Sequence, residues 1–84
     1  MKLVILDRDG VINEDSPTYI KSVEEWHPIK GSLEAIALLH QHGFTVTVAT
    51  NQSGLARGMY DEKTLTAIHD KMCRAAVAVG GKID

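Results

Sequence analysis

The run Leu3-Val4-Ile5-Leu6, leading directly into Asp7-Arg8-Asp9-Gly10-Val11-Ile12-Asn13, constrains the fold of this chain more than any other feature. Four apolar residues in succession, two of them β-branched, lack the alternation of a half-solvated strand. They read as a short strand buried on both faces. Such strands belong to parallel sheets whose two surfaces are covered by helices. Two carboxylates at i and i+2 then stand where the strand ends, with a glycine after them. In an open α/β sheet, ligands bind beyond the carboxyl ends of the strands. The aspartate pair therefore marks a candidate site as well as an element boundary.

The rest of the chain supplies the partners such a strand needs. Gly31-Ser32 opens a helical pattern, with Ser32 as the expected N-cap and Leu33, Ile36, Ala37 and Leu39 as the apolar face. His40 and His42 fall in its last turn, where they complement the helix dipole, and Gly43 suits the left-handed position just past the end. Phe44-Thr45-Val46-Thr47-Val48-Ala49 reads as a second strand, ending in the polar turn Thr50-Asn51-Gln52-Ser53-Gly54. Met59-Tyr60 is expected to pack the turn before the second long helix. Asp61 is the expected N-cap of a second long helix with Glu62 in its first turn. Its buried stripe is Leu65, Ile68, Met72, Ala75 or Ala76, and Val79, and Gly80-Gly81 stops it. Lys82-Ile83-Asp84 resembles the approach to a third strand. Strand, helix, strand, helix implies parallel strands with right-handed crossovers. The expected architecture is therefore α/β: a Rossmann-like parallel sheet with flanking helices, incomplete, and part of a single domain over residues 1–84. Asp7 and Asp9 then face Thr50 and Asn51 across one crevice.

Residues 7–30 have no sustained period and are long for a connection without regular structure, which favours a functional flap or lid. A short hairpin using Tyr19-Ile20 and Val23 is compatible with the pattern. Trp26 and His27-Pro28 fit either a pocket lining or a structural cluster beneath the flap.

With 84 residues the chain buries only about 60–65% of its unfolded surface, so its core is thin. Nine basic against eleven acidic side chains leave a net charge of −2, which offers no electrostatic case for nucleic acid or an anionic membrane. The single cysteine, Cys73, excludes an intrachain disulfide. The apolar run after Lys2 is too short for a signal-peptide core or a membrane span, so a cytoplasmic setting is expected. His69 and Cys73 are spaced i, i+4, but two ligands do not make a metal site.

The residue types at the strand ends point to phosphoryl chemistry. A carboxylate such as Asp7 attacks phosphorus and yields an acyl phosphate open to water. Carboxylate and phosphate repel each other, so a cation must neutralise them, and Mg²⁺ suits oxygen ligands and phosphate. Asp9 is placed to give a proton to the leaving oxygen and to take one from the attacking water. Gly10 permits a tight turn, and nearby amides can point at the phosphate. Thr50 and Asn51 offer a hydroxyl and an amide to phosphate oxygens. Arg57 is either a surface charge or the contact for a second anionic group.

These residues resemble the haloacid dehalogenase superfamily of phosphohydrolases. Asp7-Arg8-Asp9-Gly10-Val11-Ile12-Asn13 is similar to its first motif, and Ala49-Thr50-Asn51-Gln52-Ser53-Gly54 to its second. The continuation Leu55-Ala56-Arg57-Gly58 is similar to the heptose 1,7-bisphosphate 7-phosphatase branch. The resemblance implies Asp7 as nucleophile and Mg²⁺ ligand, and Asp9 as acid/base with its main-chain carbonyl on the metal. It implies that Thr50 binds the transferred phosphoryl group and that Arg8, Asn51, Gln52, Ser53 and Arg57 bind substrate or phosphate. Asn13 and Asp15 would belong to the segment that caps the site. It covers the whole chain but corresponds only to the amino-terminal half of such an enzyme. The third-motif lysine, the fourth-motif acidic residue and the branch's Cys/His zinc loop are not among these residues.

The implied function is Mg²⁺-dependent hydrolysis of a sugar phosphate, with the chain by itself inactive. Histidinol-phosphate phosphatase is the same-class alternative, since it shares Asp-Arg-Asp-Gly and Thr-Asn-Gln. A polynucleotide end-repair phosphatase also carries a Thr-Asn-Gln turn, but the acidic net charge argues against it. The alternative from another class is a non-catalytic truncated chain or interaction module. Half a doubly wound sheet leaves an edge and apolar faces uncovered, so self-association, strand exchange or marginal stability is expected.

Overall fold

A computed structural model of the chain describes residues 2–16, 20–50, 58 and 60–84. Two strands, β1 (Lys2–Asp7) and β2 (Phe44–Ala49), pair in parallel with Val4 opposite Val46 and Asp7 opposite Ala49. Helix α1 (Ser32–Gln41) crosses from one to the other, and α2 (Glu62–Ala78) follows β2. After α2 the chain returns to the free side of β2, where the Asp84 N–H donates to the Val46 carbonyl at 2.8 Å. Lys82-Ile83-Asp84 thus makes the approach expected of a third strand. Among the described residues no helix is long and apolar enough to cross a membrane.

Both helices lie on one face of the sheet. Ile36 of α1 and Ile68, Met72 and Ala76 of α2 form one buried cluster with Val46 of β2. Leu6 and Val48, opposite each other in register, pack against it. Same-handed crossovers from successive parallel strands place their helices on the same side. The opposite face is open, and Leu3 and Ile5 are 53% and 63% exposed. This corrects the expectation of a strand buried on both faces. The residues of β1 have that composition, but the described elements cover only one side.

Local signals set the helix ends, with two departures. Asp61 caps α2, its carboxylate accepting from the Thr64 N–H at 2.7 Å. Chiefly this bond holds the Asp61 carboxyl below its ordinary range. Gly43 takes its positive φ of 83° just past α1. Ser32, however, is not the cap of α1. Gly31 holds that position at φ 89°, and the Ser32 hydroxyl donates to the Val11 carbonyl at 2.7 Å, tying the helix start to the flap. Val79 is the second departure, standing exposed at the end of α2 because the buried stripe finishes at Ala76.

The long connection between β1 and α1 is closed at its neck. The Glu14 N–H donates to His27 O at 2.8 Å, and the Ile29 N–H to Ile12 O at 2.9 Å. Within the flap, Val23–Glu25 forms a 3-10 turn, so Val23 is not in a hairpin strand; Tyr19 lies outside the described residues. Ile12, Ile20 and Trp26 turn inward and join the core. Trp26 is thus part of the structural cluster beneath the flap, while His27 is exposed at its margin. Lys71 of α2 holds the flap from below. Its ammonium donates to Val23 O at 2.7 Å and Trp26 O at 2.9 Å, 5.7 Å from the Trp26 ring centroid.

Candidate active site

Pairing of β1 with β2 sets the site. Asp7 is the last residue of β1 and lies opposite Ala49, so Thr50 emerges from the neighbouring strand end. Asp7 is exposed, and its Oδ1 accepts from the Arg8 N–H at 2.9 Å. The chain then turns sharply. The Arg8 carbonyl accepts from Val11 N at 3.3 Å, Ile12 N at 2.8 Å and Asn13 N at 3.2 Å, while Gly10 N donates to Asn13 O at 2.8 Å. Gly10 takes φ 84°, as a tight reversal here requires. The amides of Gly10 and Val11 are therefore engaged within the turn. Neither of these two amides points toward a phosphate.

Asp9 faces inward from this turn. Its Oδ1 accepts from Arg8 Nε at 2.8 Å and Asn13 Nδ2 at 3.0 Å, and its Oδ2 from Arg8 Nη2 at 3.2 Å. Burial pushes the Asp9 carboxyl up. The bonds from Arg8 and Asn13, with the Arg8 charge, outweigh it and hold the group below its ordinary range. Asp9 is thus an ionised carboxylate gripped by three donors.

That grip revises two further readings. Arg8 is 1% exposed, its guanidinium turned into the protein and paired with Asp9. Asn13 is fully buried and bonded to Asp9 and the Glu14 carbonyl. Neither side chain presents itself to a substrate, so both are placed to position Asp9. Asp15 is exposed, with its Oδ1 accepting from the Ser16 N–H at 2.8 Å. It lines an open cleft of about 370 Å³ with Glu14, Ser16, Ile20, Lys21, Glu25 and His27. Asn51, Gln52, Ser53 and Arg57, expected to hold substrate, lie outside the described residues, as does Met59. Among the described residues no three His, Cys, Asp or Glu side chains come together as a metal site.

Two residues near the site escaped the sequence reading. His69 of α2 approaches Arg8 and Asp9. Burial, then the Arg8 charge, lower its pKa from the ordinary histidine value, while Asp9 opposes them. Lys71 anchors the flap that forms the cleft. Its signal was a cation three residues after Ile68, on the flank of the apolar stripe, although its partners lie 45 and 48 residues away.

Sequence and fold together are similar to the amino-terminal half of haloacid dehalogenase-like phosphatases. No protein-family model matches it. The chain is 61% identical over 84 residues to the D-glycero-beta-D-manno-heptose-1,7-bisphosphate 7-phosphatase of Bordetella bronchiseptica, matching 100% of this chain and 47% of that protein. The enzyme of the same name from Neisseria meningitidis is 54% identical over 84 residues, with 45% of its length matched. The crystal structure of D,D-heptose 1,7-bisphosphate phosphatase from B. bronchiseptica, complexed with magnesium and phosphate, superposes with a TM-score of 0.98, covering 100% of this chain and 47% of that one. A haloacid dehalogenase-like phosphatase from Mesorhizobium loti superposes at 0.86 with 35% identity, covering 99% of this chain and 39% of that one. The chain spans about half the length of the curated relatives it matches. These matches give the histidinol-phosphate alternative no support.

Proposed function

We propose that these residues form part of the single catalytic domain of a phosphomonoester hydrolase that removes the 7-phosphate of a heptose 1,7-bisphosphate through an aspartyl phosphate. The observation that carries the reading is the exposed Asp7 carboxylate at the end of β1, with Thr50 on the adjacent strand end. The 61% identity to a heptose-bisphosphate phosphatase supports the substrate. A phosphorylated sugar is the proposed partner, without nucleic acid or membrane, in the cytoplasm.

An Asp7 oxygen attacks phosphorus as the bond to the sugar oxygen breaks. The departing alkoxide takes a proton from Asp9, leaving an acyl phosphate on Asp7. Water then attacks that phosphoryl group, gives its proton to Asp9, and releases inorganic phosphate and free Asp7. The ionised Asp9 suits the second step as it stands. The first requires a protonated Asp9 turned out of the grip of Arg8 and Asn13. Thr50, Asn51, Gln52 and Ser53 hold phosphoryl and substrate oxygens, and Arg57 meets the second anionic group. Asp15 caps the cleft.

The Asp7 carboxylate and the Asp9 main-chain carbonyl fit a hard cation with oxygen ligands, whereas the Asp9 carboxylate is committed to Arg8. Mg²⁺ held there supplies charge neutralisation between Asp7 and phosphate. The zinc loop of the branch is not part of the proposal for these residues. Alone, the chain is expected to turn over little or nothing.

The test is a covalent chimera joining this chain to the remaining portion of the B. bronchiseptica relative. It should release phosphate from the heptose bisphosphate and not from histidinol phosphate, and Asp7→Asn should abolish release. Asp7-independent turnover would refute the nucleophile. Asp7-dependent turnover by the 84-residue chain alone would refute its inactivity.

A further inference from the structure

Buried side-chain atoms without a hydrogen-bond partner among the described residues include Arg8 Nη1, Asn13 Oδ1 and His69 Nε2. Buried polar atoms in folded proteins are nearly all paired, with protein groups or with ordered water. These three belong to side chains around Asp9. Arg8 grips that carboxylate through Nε and Nη2, which turns its remaining nitrogen, Nη1, away from it. Asn13 gives Nδ2 to Asp9 and to the Glu14 carbonyl, both at 3.0 Å, and its amide oxygen is left over. His69 comes to the same place from α2. Ile12 and Ile68, the residues just before Asn13 and His69, share one buried cluster, and the charges of Arg8 and Asp9 both act on the His69 ring.

The three atoms complement one another without touching. Arg8 Nη1 can only donate, Asn13 Oδ1 can only accept, and the histidine nitrogen does either according to its tautomer. The guanidinium charge beside the ring favours a lone pair on Nε2, with the ring proton on Nδ1. One donor and two acceptors match a single water molecule, which accepts from the first and donates to the others. About three such partners is usual for an internal water.

We propose that Arg8 Nη1, Asn13 Oδ1 and His69 Nε2 bind one internal water molecule, and that His69 acts through it as a positioning residue for Asp9. Arg8 is 1% exposed, and its ion pair is with Asp9. The water fixes the far end of the guanidinium, so Nε and Nη2 stay aimed at Asp9 while that side chain turns out to protonate the leaving oxygen and returns. His69 thereby sets the orientation of the acid/base without touching substrate. The water site stands on burial and hydrogen bonding. Only its kinetic consequence rests on the phosphatase reading.

The test uses the covalent chimera, in which the chain is part of a full-length protein. Its crystal structure should show ordered solvent within hydrogen-bond distance of all three atoms. Nitrogen NMR at about pH 8, above the ordinary histidine range, should show an unprotonated Nε2 on His69, assigned by its loss in His69→Gln. His69→Leu removes the acceptor. It should speed exchange of the Arg8 Nε–H and lower kcat, each about tenfold, with KM within about twofold, because Asp9 acts in the transition state. His69→Gln, whose amide oxygen accepts from the water, should keep exchange and kcat within about twofold of the parent. Absence of solvent at the three atoms would overturn the proposal. So would a protonated Nε2, or Leu and Gln variants that behave alike. Should His69→Leu lose its helix signal, the solvent and the tautomer of the parent still decide the matter. A chimera without turnover refutes the phosphatase reading, while solvent, tautomer and Arg8 exchange judge the water site separately.

Discussion

Replacing Lys71 with methionine should release the flap while leaving the sheet and helices in place. Methionine keeps the aliphatic stem against Trp26 and removes only the ammonium head. Lost with it are the bonds to Val23 O at 2.7 Å and Trp26 O at 2.9 Å and the contact with the indole at 5.7 Å. A hydrogen bond from a charged donor contributes about 1.5–3 kcal/mol net, and a partly solvated cation–π contact about 0.5–1 kcal/mol. The head is half-buried, so water recovers part of what the two carbonyls lose. The expected cost is about 2–3 kcal/mol. In a domain of this size that lowers the melting temperature by about 10–20 °C. Trp26 is the only tryptophan and is buried, so its emission reports the flap while circular dichroism reports the helices. The emission should shift to the red at temperatures where the helical signal persists, and Lys71→Arg should recover part of the loss. If Lys71→Met keeps a buried tryptophan spectrum and melts within about 2 °C of the parent, Lys71 does not hold the flap.

Three further outcomes follow from the packing and charges. Asp9→Ala should destabilise more than Arg8→Met, by urea denaturation. The first strands a guanidinium that is 1% exposed, at about 3 kcal/mol, whereas the Asp9 side chain, 26% exposed, can turn to water. Gly81→Ala should lower the urea midpoint by about 1–2 kcal/mol of stability. Its new Cβ would meet the Ala37 nitrogen and Ala76 oxygen at 3.2 Å, both backbone atoms of packed helices. His69 has a folded pKa below its unfolded value near 6.5, so the unfolded chain binds more protons in between. Its linkage is absent above pH 6.5, and stability falls as pH drops from there toward the folded pKa. The Asp9 carboxylate, also lowered, keeps its own contribution in that range and loses it only at more acid pH. His69→Gln should flatten the slope of stability just below pH 6.5, and an unchanged slope would sink the assignment.

The elements were legible because each carries its own local period. Phe44–Ala49 is a β-branched run, Leu33, Ile36 and Ala37 fall on one face of a helix, and Asp61 caps by a bond to a residue three positions on. Asp7 and Thr50 were legible as neighbours because parallel pairing of two recognisable strands leaves little freedom in where their ends meet. Local pattern does not carry the contacts between elements. Nothing in Asp7-Arg8-Asp9 says that the arginine turns inward and grips the second aspartate. That depends on the turn that three amides make onto the Arg8 carbonyl, and on Asn13 being buried beside it. Ser32, a plausible cap by composition, was taken by the Val11 carbonyl once the flap folded against α1.

The sequence by itself therefore determined a βαβα order, parallel pairing, and a carboxylate at a strand end. Each of these follows from steric and hydrophobic preferences acting over a few residues. The tertiary structure alone decided that both helices lie on one face, that Lys71 anchors the flap, and that Asp9 is held while Asp7 stands open. Those outcomes depend on which surfaces meet and on which polar groups find partners after burial. The apolar run at the front of the chain asks for cover on two sides, and packing within the described residues provides it on one.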